Sequence, residues 1–161
     1  MAGVTLYSFY NGFAGMVSQE GDVVIKSLPN MDTGPIAFGA PVFLSSDRRG
    51  VVNLASGSTA DMFVGFAVRS ASKTPDTYGS NAASYARGEV VDILLRGAII
   101  VDVTGSGISK GKPVYLDFAT GKATANAGSE GSTLALTNAH FGSIKDPNSV
   151  AEVIVNTRNV I

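Results

Sequence analysis

Cysteine and tryptophan are both absent from this 161-residue chain, and histidine occurs once. Without cysteine there is neither a disulfide nor a thiolate metal site, so the fold must rest on packing of apolar side chains alone. Charge is scarce as well. Asp, Glu, Lys and Arg make up 16% of residues, against about 25% in an average soluble domain. The 12 basic and 13 acidic residues leave a formal charge of -1, and the longest basic run is Arg48-Arg49. That argues against a nucleic-acid partner, which is held by clustered cations on phosphates. Long hydrophobic runs are missing too. The longest apolar region, Val90 to Val103, is cut by Asp92, Arg96, Gly97 and Asp102, well short of the roughly 18 residues of a spanning helix. No membrane partner is expected. The amino terminus has no basic stretch, and Ser8, Asn11 and Gly12 interrupt its apolar residues, which argues against a cleaved secretory signal.

What the chain does have is glycine, 19 residues of it, with 6 prolines. Spread at short intervals, these leave almost no window for three uninterrupted helical turns. Between them lie short runs of Val, Ile, Leu, Phe and Tyr, side chains that suit a pleated, half-buried surface. The pattern predicts strands at Asp22-Lys26, Pro41-Leu44, Val51-Leu54, Met62-Val68, Glu89-Leu95, Ala98-Val103, Pro113-Phe118, Thr133-Thr137, Phe141-Ile144 and Ala151-Asn156. Many short strands with frequent turns indicate an all-β protein, a sandwich or barrel.

One segment occurs twice. Gly39-Ala-Pro-Val-Phe-Leu-Ser-Ser-Asp-Arg-Arg-Gly50 returns as Gly111-Lys-Pro-Val-Tyr-Leu-Asp-Phe-Ala-Thr-Gly121. Beyond it, Val64-Gly-Phe-Ala-Val68 is matched to Phe141-Gly-Ser-Ile144, and Glu89-Val-Val-Asp-Ile93 to Glu152-Val-Ile-Val155. This predicts an arm over residues 1–21 and a single β domain over 22–161, containing two related β-hairpin modules at about 39–93 and 111–155. Proline lacks an amide hydrogen and opens strands well, so Pro41 and Pro113 should each begin one. Gly50 and Gly121 should then close the turns with a positive φ.

Two aromatic-bearing segments fall outside this pattern. The arm carries Tyr7, Phe9, Tyr10 and Phe13 with no charge before Glu20, and residues 70–88 form a small-residue insertion with Tyr78 and Tyr85. Aromatics are enriched at interface centres, which makes these six the candidate protein-interface residues; the plainer readings are that the arm's aromatics complete the protein's own core and that the insertion is a solvated flap. Long loops in compact domains are commonly functional.

Motifs for catalysis fit poorly. Gly107-Ile-Ser-Lys-Gly111 has the spacing of a nucleophile elbow, but that turn leads into a helix, whereas Gly111 and Pro113 lead into a strand. Gly105-Ser-Gly107 lacks the third glycine of a dinucleotide fingerprint, and Gly111-Lys112 is followed by Pro113 in place of the hydroxyl residue of a phosphate loop. Asp92 and Asp102 could pair in glycoside chemistry, yet each is better explained as the solvent side of a strand. With one histidine, His140, and no cysteine, no metal ligand set, cofactor site or catalytic group is assigned, and the chain reads as a non-enzyme.

Taken together, Glu89-Val-Val-Asp-Ile-Leu-Leu-Arg-Gly-Ala-Ile-Ile-Val-Asp-Val103 through Gly107-Ile-Ser-Lys-Gly-Lys-Pro-Val-Tyr-Leu-Asp117 to Thr120-Gly121 resembles the capsid decoration, or structural cement, proteins of tailed bacteriophages. Upstream Gly39-Ala-Pro-Val-Phe-Leu44 and the arm's Phe13-Ala-Gly-Met16 extend the likeness. The resemblance implies a jelly-roll-like sandwich or barrel with an extended N-terminal arm, which binds the outside of an icosahedral phage head. Its implied partners are the major capsid protein and itself, as a homodimer or homotrimer. It implies synthesis in the host bacterial cytoplasm and residence on the capsid exterior of the virion. A carbohydrate-binding β-sandwich is the alternative, weakened by the absence of Trp.

Overall fold

The computed structural model of the chain describes residues 11–18, 22–73 and 83–157. Its strands are β1 (Val24–Pro29), β2 (Ile36–Ala37), β3 (Pro41–Leu44), β4 (Val51–Asn53), β5 (Phe63–Ala67), β6 (Ser84–Tyr85), β7 (Val90–Asp102), β8 (Pro113–Asp117), β9 (Ala123–Thr124), β10 (Thr133–Phe141) and β11 (Val150–Val155). A 3-10 turn at Ala60–Met62 is the one helical element among the described residues. The all-β expectation holds: a nine-stranded sheet runs β4-β3-β5-β7-β11-β10-β8-β9 with β1 also on β7, and β2 and β6 form a separate ribbon. The sheet curls into a half-barrel consistent with a jelly-roll-like sandwich.

Its pairings recur. β1 pairs β7 with Pro29 opposite Val90, and the second half of β7 pairs β11 with Asp102 opposite Val150. Pro41 faces Phe66 as Pro113 faces His140. Gly39 N–H donates to Ala67 O at 2.7 Å, and Gly111 N–H donates to Phe141 O at 2.7 Å. Beyond each first strand, a parallel bridge joins Asn30 to Val51 and Val103 to Ala123. Each half is therefore the same five-strand arrangement, β4-β3-β5-β7-β1 and β9-β8-β10-β11-β7. β7 serves as the fourth strand of one half and the first strand of the other.

This geometry corrects the later matches made from sequence. Phe141 answers to Ala67 and not to Val64, while Val150 answers to Val90, so Glu152 lies opposite the role of Asp92 and not of Glu89. The glycines that suggested the other register have unrelated reasons to be glycine. A Cβ on Gly65 would lie 2.0 Å from the Leu94 carbonyl oxygen of the neighbouring strand, whereas one on Gly142 would meet the Glu152 side chain at 2.1 Å. Two further expectations change for local reasons. The break expected at residues 96–97 is a kink within one strand, where Gly97 takes φ +126, and that expected at 138–140 is a bulge in β10 between Leu136 and His140. Residues 142–149 form a turn in place of the expected continuation of a strand to Ile144.

Pro41 and Pro113 do open strands, and Gly121 takes φ +70. Gly50 does not have a positive φ; Arg48 carries it at 56°, and Gly50 is glycine because Pro29 O and Met31 Cγ lie 2.4 Å from where its Cβ would be.

The two halves differ in what fills them. In the first, Val42, Leu44, Val51, Ala67, Val91, Ile93 and Leu95 turn inward onto Ile36, Phe38 and Tyr85 from the β2–β6 ribbon. The equivalent residues of the second half, Val114, Leu116, Ala123, Phe141, Ala151, Val153 and Val155, pack on Phe43, Phe63, Phe66 and Leu94. Those four lie on the opposite face of the first half. β3 and β5 are buried on both faces as a result. Alternating inward and outward residues in β8 and β11 leave the far face of the second half partly open.

Phe66→Ala should therefore destabilise the chain by about 3–5 kcal/mol, the cost of a large aromatic cavity. Urea denaturation checks the magnitude, and amide exchange should accelerate in β8 and β11, strands that belong to the other half.

Candidate functional site

Residues 11–18 run along the second half of β7. Met16 O accepts from Ile100 N–H at 2.9 Å, Gly15 N–H donates to Ile100 O at 2.8 Å, and Ser18 N–H donates to Ala98 O at 3.0 Å. The stretch must be small at Gly15, because a Cβ there would lie 2.8 Å from Arg69 N, on a backbone with φ +85. Asn11 anchors the start of the stretch: its side-chain amide donates to Ile144 O (2.9 Å) and Val150 O (3.2 Å), and its backbone N–H donates to Asp146 Oδ2 (2.9 Å). Asp146 is itself buried and accepts from the N–H groups of Asn148 and Val150, which fixes the turn before β11.

This anchoring displays apolar side chains. Phe13 is 45% exposed, Met16 41% and Ile144 66%. The Arg69 guanidinium lies over the rings of Phe13 and Phe38, at 5.6 and 5.0 Å from their centroids. Solvated large hydrophobics close together mark an interaction surface more readily than scattered ones do.

Of the six residues expected at an interface, Phe13 lies on this surface. Tyr85 does not: its ring is 2% exposed, packs edge-on against Phe38, and its hydroxyl donates to Val68 O at 2.6 Å. It plugs the first half's interior, because β2 pairs β6 and carries the ring inward. Tyr7, Phe9, Tyr10 and Tyr78 lie outside the described residues. Met16 and Ile144 were not expected. Met16 stands in the quoted Phe13-Ala-Gly-Met16, but only pairing with β7 shows which way it faces, and Ile144 reads as a strand residue until Asp146 organises the turn.

Two cavities flank this region. One of about 340 Å³ lies at the seam between the halves and is lined by Ala37–Pro41, Asn53, Asp102 and Lys122 among others. Another of about 330 Å³ lies beneath Phe13, Phe38, Arg69 and Val150, and also touches Asp102. Burial pushes the Asp102 carboxyl above the ordinary aspartate range, and the positive charge of Lys122 offsets this only in part.

The residues tested for catalysis do not form a site. Ile108, next to Ser109, is buried three residues ahead of Gly111 as Ile36 is ahead of Gly39. The elbow-like spacing is thus the second copy of the chain's entry into a strand. His140 Nδ1 and the Asn156 side-chain amide lie 3.0 Å apart. Asp92 accepts from Ser27 Oγ, while Asp102 lies at the other end of β7. Among the described residues, no group of three metal-ligating side chains converges.

Fold and surface define an all-β protein built around packing faces. A family model described as Structural cement protein (E217 gp24/Pam3 gp6) matches residues 4–156. The chain belongs to this phage structural cement family, whose role in the capsid is structural. Among solved structures, a chain from "The capsid of Myoviridae Phage XM1" is similar over 97% of this chain and 98% of its own, at 22% identity and a TM-score of 0.73. At that identity the likeness speaks for the fold. No curated protein matches.

Two outcomes are expected. Asn11→Ala removes both side-chain hydrogen bonds of the anchor at a cost of about 1–2 kcal/mol, so amide exchange at Gly15 and Ser18 should quicken while the central sheet stays protected. The second concerns pH. A folded-state pKa above the unfolded value means that Asp102 contributes most below about pH 4 and loses that contribution as pH rises through the raised value. Asp102→Asn should then be more stable than wild type at pH 7, by at most about 0.5 kcal/mol at so exposed a site, with urea midpoints converging near pH 3.

Proposed function

We propose that this protein is a capsid decoration protein that binds the outer surface of an icosahedral phage head and stabilises contacts between major capsid protein subunits. The observation that carries the reading is membership of the structural cement family across residues 4–156. It is supported by the strand-anchored arm, which holds Phe13 and Met16 in solvent. The protein acts by contact and performs no catalysis. It is made in the host bacterial cytoplasm and resides on the capsid exterior.

Binding proceeds as a homodimer or homotrimer. A symmetric oligomer repeats the same weak patch, and linked patches bind far more tightly than one alone. The contacts come from Tyr7, Phe9, Tyr10 and Phe13 on the arm and from Tyr78 on the insertion. Their rings offer large contact area at low conformational cost.

Purified heads should carry the protein in near-stoichiometric amounts. A monomer that never sediments with heads would sink the proposal. Deleting residues 1–10, which leaves the Asn11 anchor in place, should lower head affinity at least about tenfold, equivalent to roughly 1.4 kcal/mol. Unchanged occupancy and unchanged oligomeric state would remove the arm from the interface.

A further inference from the structure

The corner at which the first strand of each half meets the hairpin turn is built differently in the two halves. Pro29 and Asp102 are equivalent, since they face Val90 and Val150 in the same register. Gly50 and Lys122 are equivalent too: their carbonyls accept from Ser45 N–H and Asp117 N–H, each at 2.9 Å. In the first half Pro29 and Met31 close tightly over Gly50, leaving no room even for a Cβ. In the second half the same corner holds Asp102 and Lys122, and the seam cavity of about 340 Å³ lies beside them.

The second cavity shares Ala37, Phe38 and Asp102 with the first, so the two form one groove with Asp102 at the junction. The walls are mainly small or apolar side chains and backbone. Among the described residues, none donates a hydrogen bond to the Asp102 carboxylate, and Lys122 does not approach within ion-pair distance. The Asp102 carboxylate reaches solvent yet stands beside these walls with its oxygens free to accept from a cationic donor. The neighbouring Arg69 already lies over Phe13 and Phe38. A cation supplied from outside, on an aliphatic stem that can lie along apolar walls, matches the groove.

We propose that this groove docks an extended segment of the capsid partner, with a Lys or Arg side chain of that segment pairing with Asp102. The proposal rests on the head-binding reading above and names where a partner segment engages. The first half lacks the groove because Pro29, Met31 and Gly50 fill its corner, so the duplicated halves have divided their work. One is closed and the other receives a ligand.

The test titrates heads lacking this protein with the full-length wild-type chain, Asp102→Asn and Asp102→Arg, with sedimentation as the readout. Asp102→Asn should bind about three- to tenfold more weakly, and Asp102→Arg at least about tenfold more weakly, the range of a charge contact that docking takes out of water. Thermal unfolding and oligomeric state of the Asn variant should match wild type or better it, so a folding defect would not mimic the result; if the Arg variant fails to fold, the isosteric Asn variant decides. Wild-type affinity in the Asn variant would overturn the groove while leaving head binding intact. Failure of the wild-type chain to bind heads would instead overturn the head-binding reading. Carbodiimide coupling of Asp102 to a lysine of a sister copy, found in the free oligomer, would also overturn the proposal by assigning the groove to self-association.

Discussion

The second half of this protein has no interior of its own until the first half supplies one. Phe43, Phe63, Phe66 and Leu94 leave the outer face of the first sheet and complete the core around Val114, Leu116 and Phe141. Rings of Phe63 and Phe66 meet edge-on at 5.3 Å, and those of Phe43 and Phe63 meet tilted at 5.6 Å, within the range favoured by aromatic quadrupoles. Because β7 belongs to both halves, neither can shift without moving the other's hydrogen-bonded neighbour. Stability and the relative placement of the halves therefore come from one contact.

That stacking is directional: an outer face covers an inner face. Repeated indefinitely it would produce an open, head-to-tail polymer. The β2–β6 ribbon stops it at one end, because Ile36, Phe38 and Tyr85 occupy the inner face of the first half. At the other end, the positions equivalent to Phe43, Phe66 and Leu94 carry Tyr115, His140 and Ile154, half-buried residues of mixed polarity. An unlimited apolar face is thus avoided at both ends. Of the large apolar side chains that remain exposed, Phe13, Met16 and Ile144 lie along the arm and its neighbouring turn, while Ile25, Met31 and Val90 lie on or beside the β1–β7 pair.

Legibility in the sequence followed the range of the interactions. Glycine and proline spacing rests on local backbone sterics, and it located most strands and both hairpins, including the Pro41 and Pro113 starts. The Gly-x-Pro-Val repeat marks the two strand starts whose pairings recur, but its later register was misread at Gly65 and Gly142, whose constraints come from a neighbouring carbonyl and a neighbouring carboxylate. Tyr85 illustrates the same limit. An aromatic in a small-residue loop reads as an available contact, and only the pairing of β2 with β6 turns it inward.

By itself the sequence determined the all-β class, the absence of cysteine-based chemistry and the family resemblance, since each follows from residue identity and short spacing. Tertiary structure alone decided which face of each strand is buried, that β7 is shared, and that Phe13 and Met16 stay exposed while Tyr85 is enclosed. It alone also decided that equivalent corners became a filled joint in one half and a groove around Asp102 in the other. The physical reason is that strand periodicity fixes alternation but not its direction: a one-residue change of register reverses every face, and the choice belongs to partners far away along the chain.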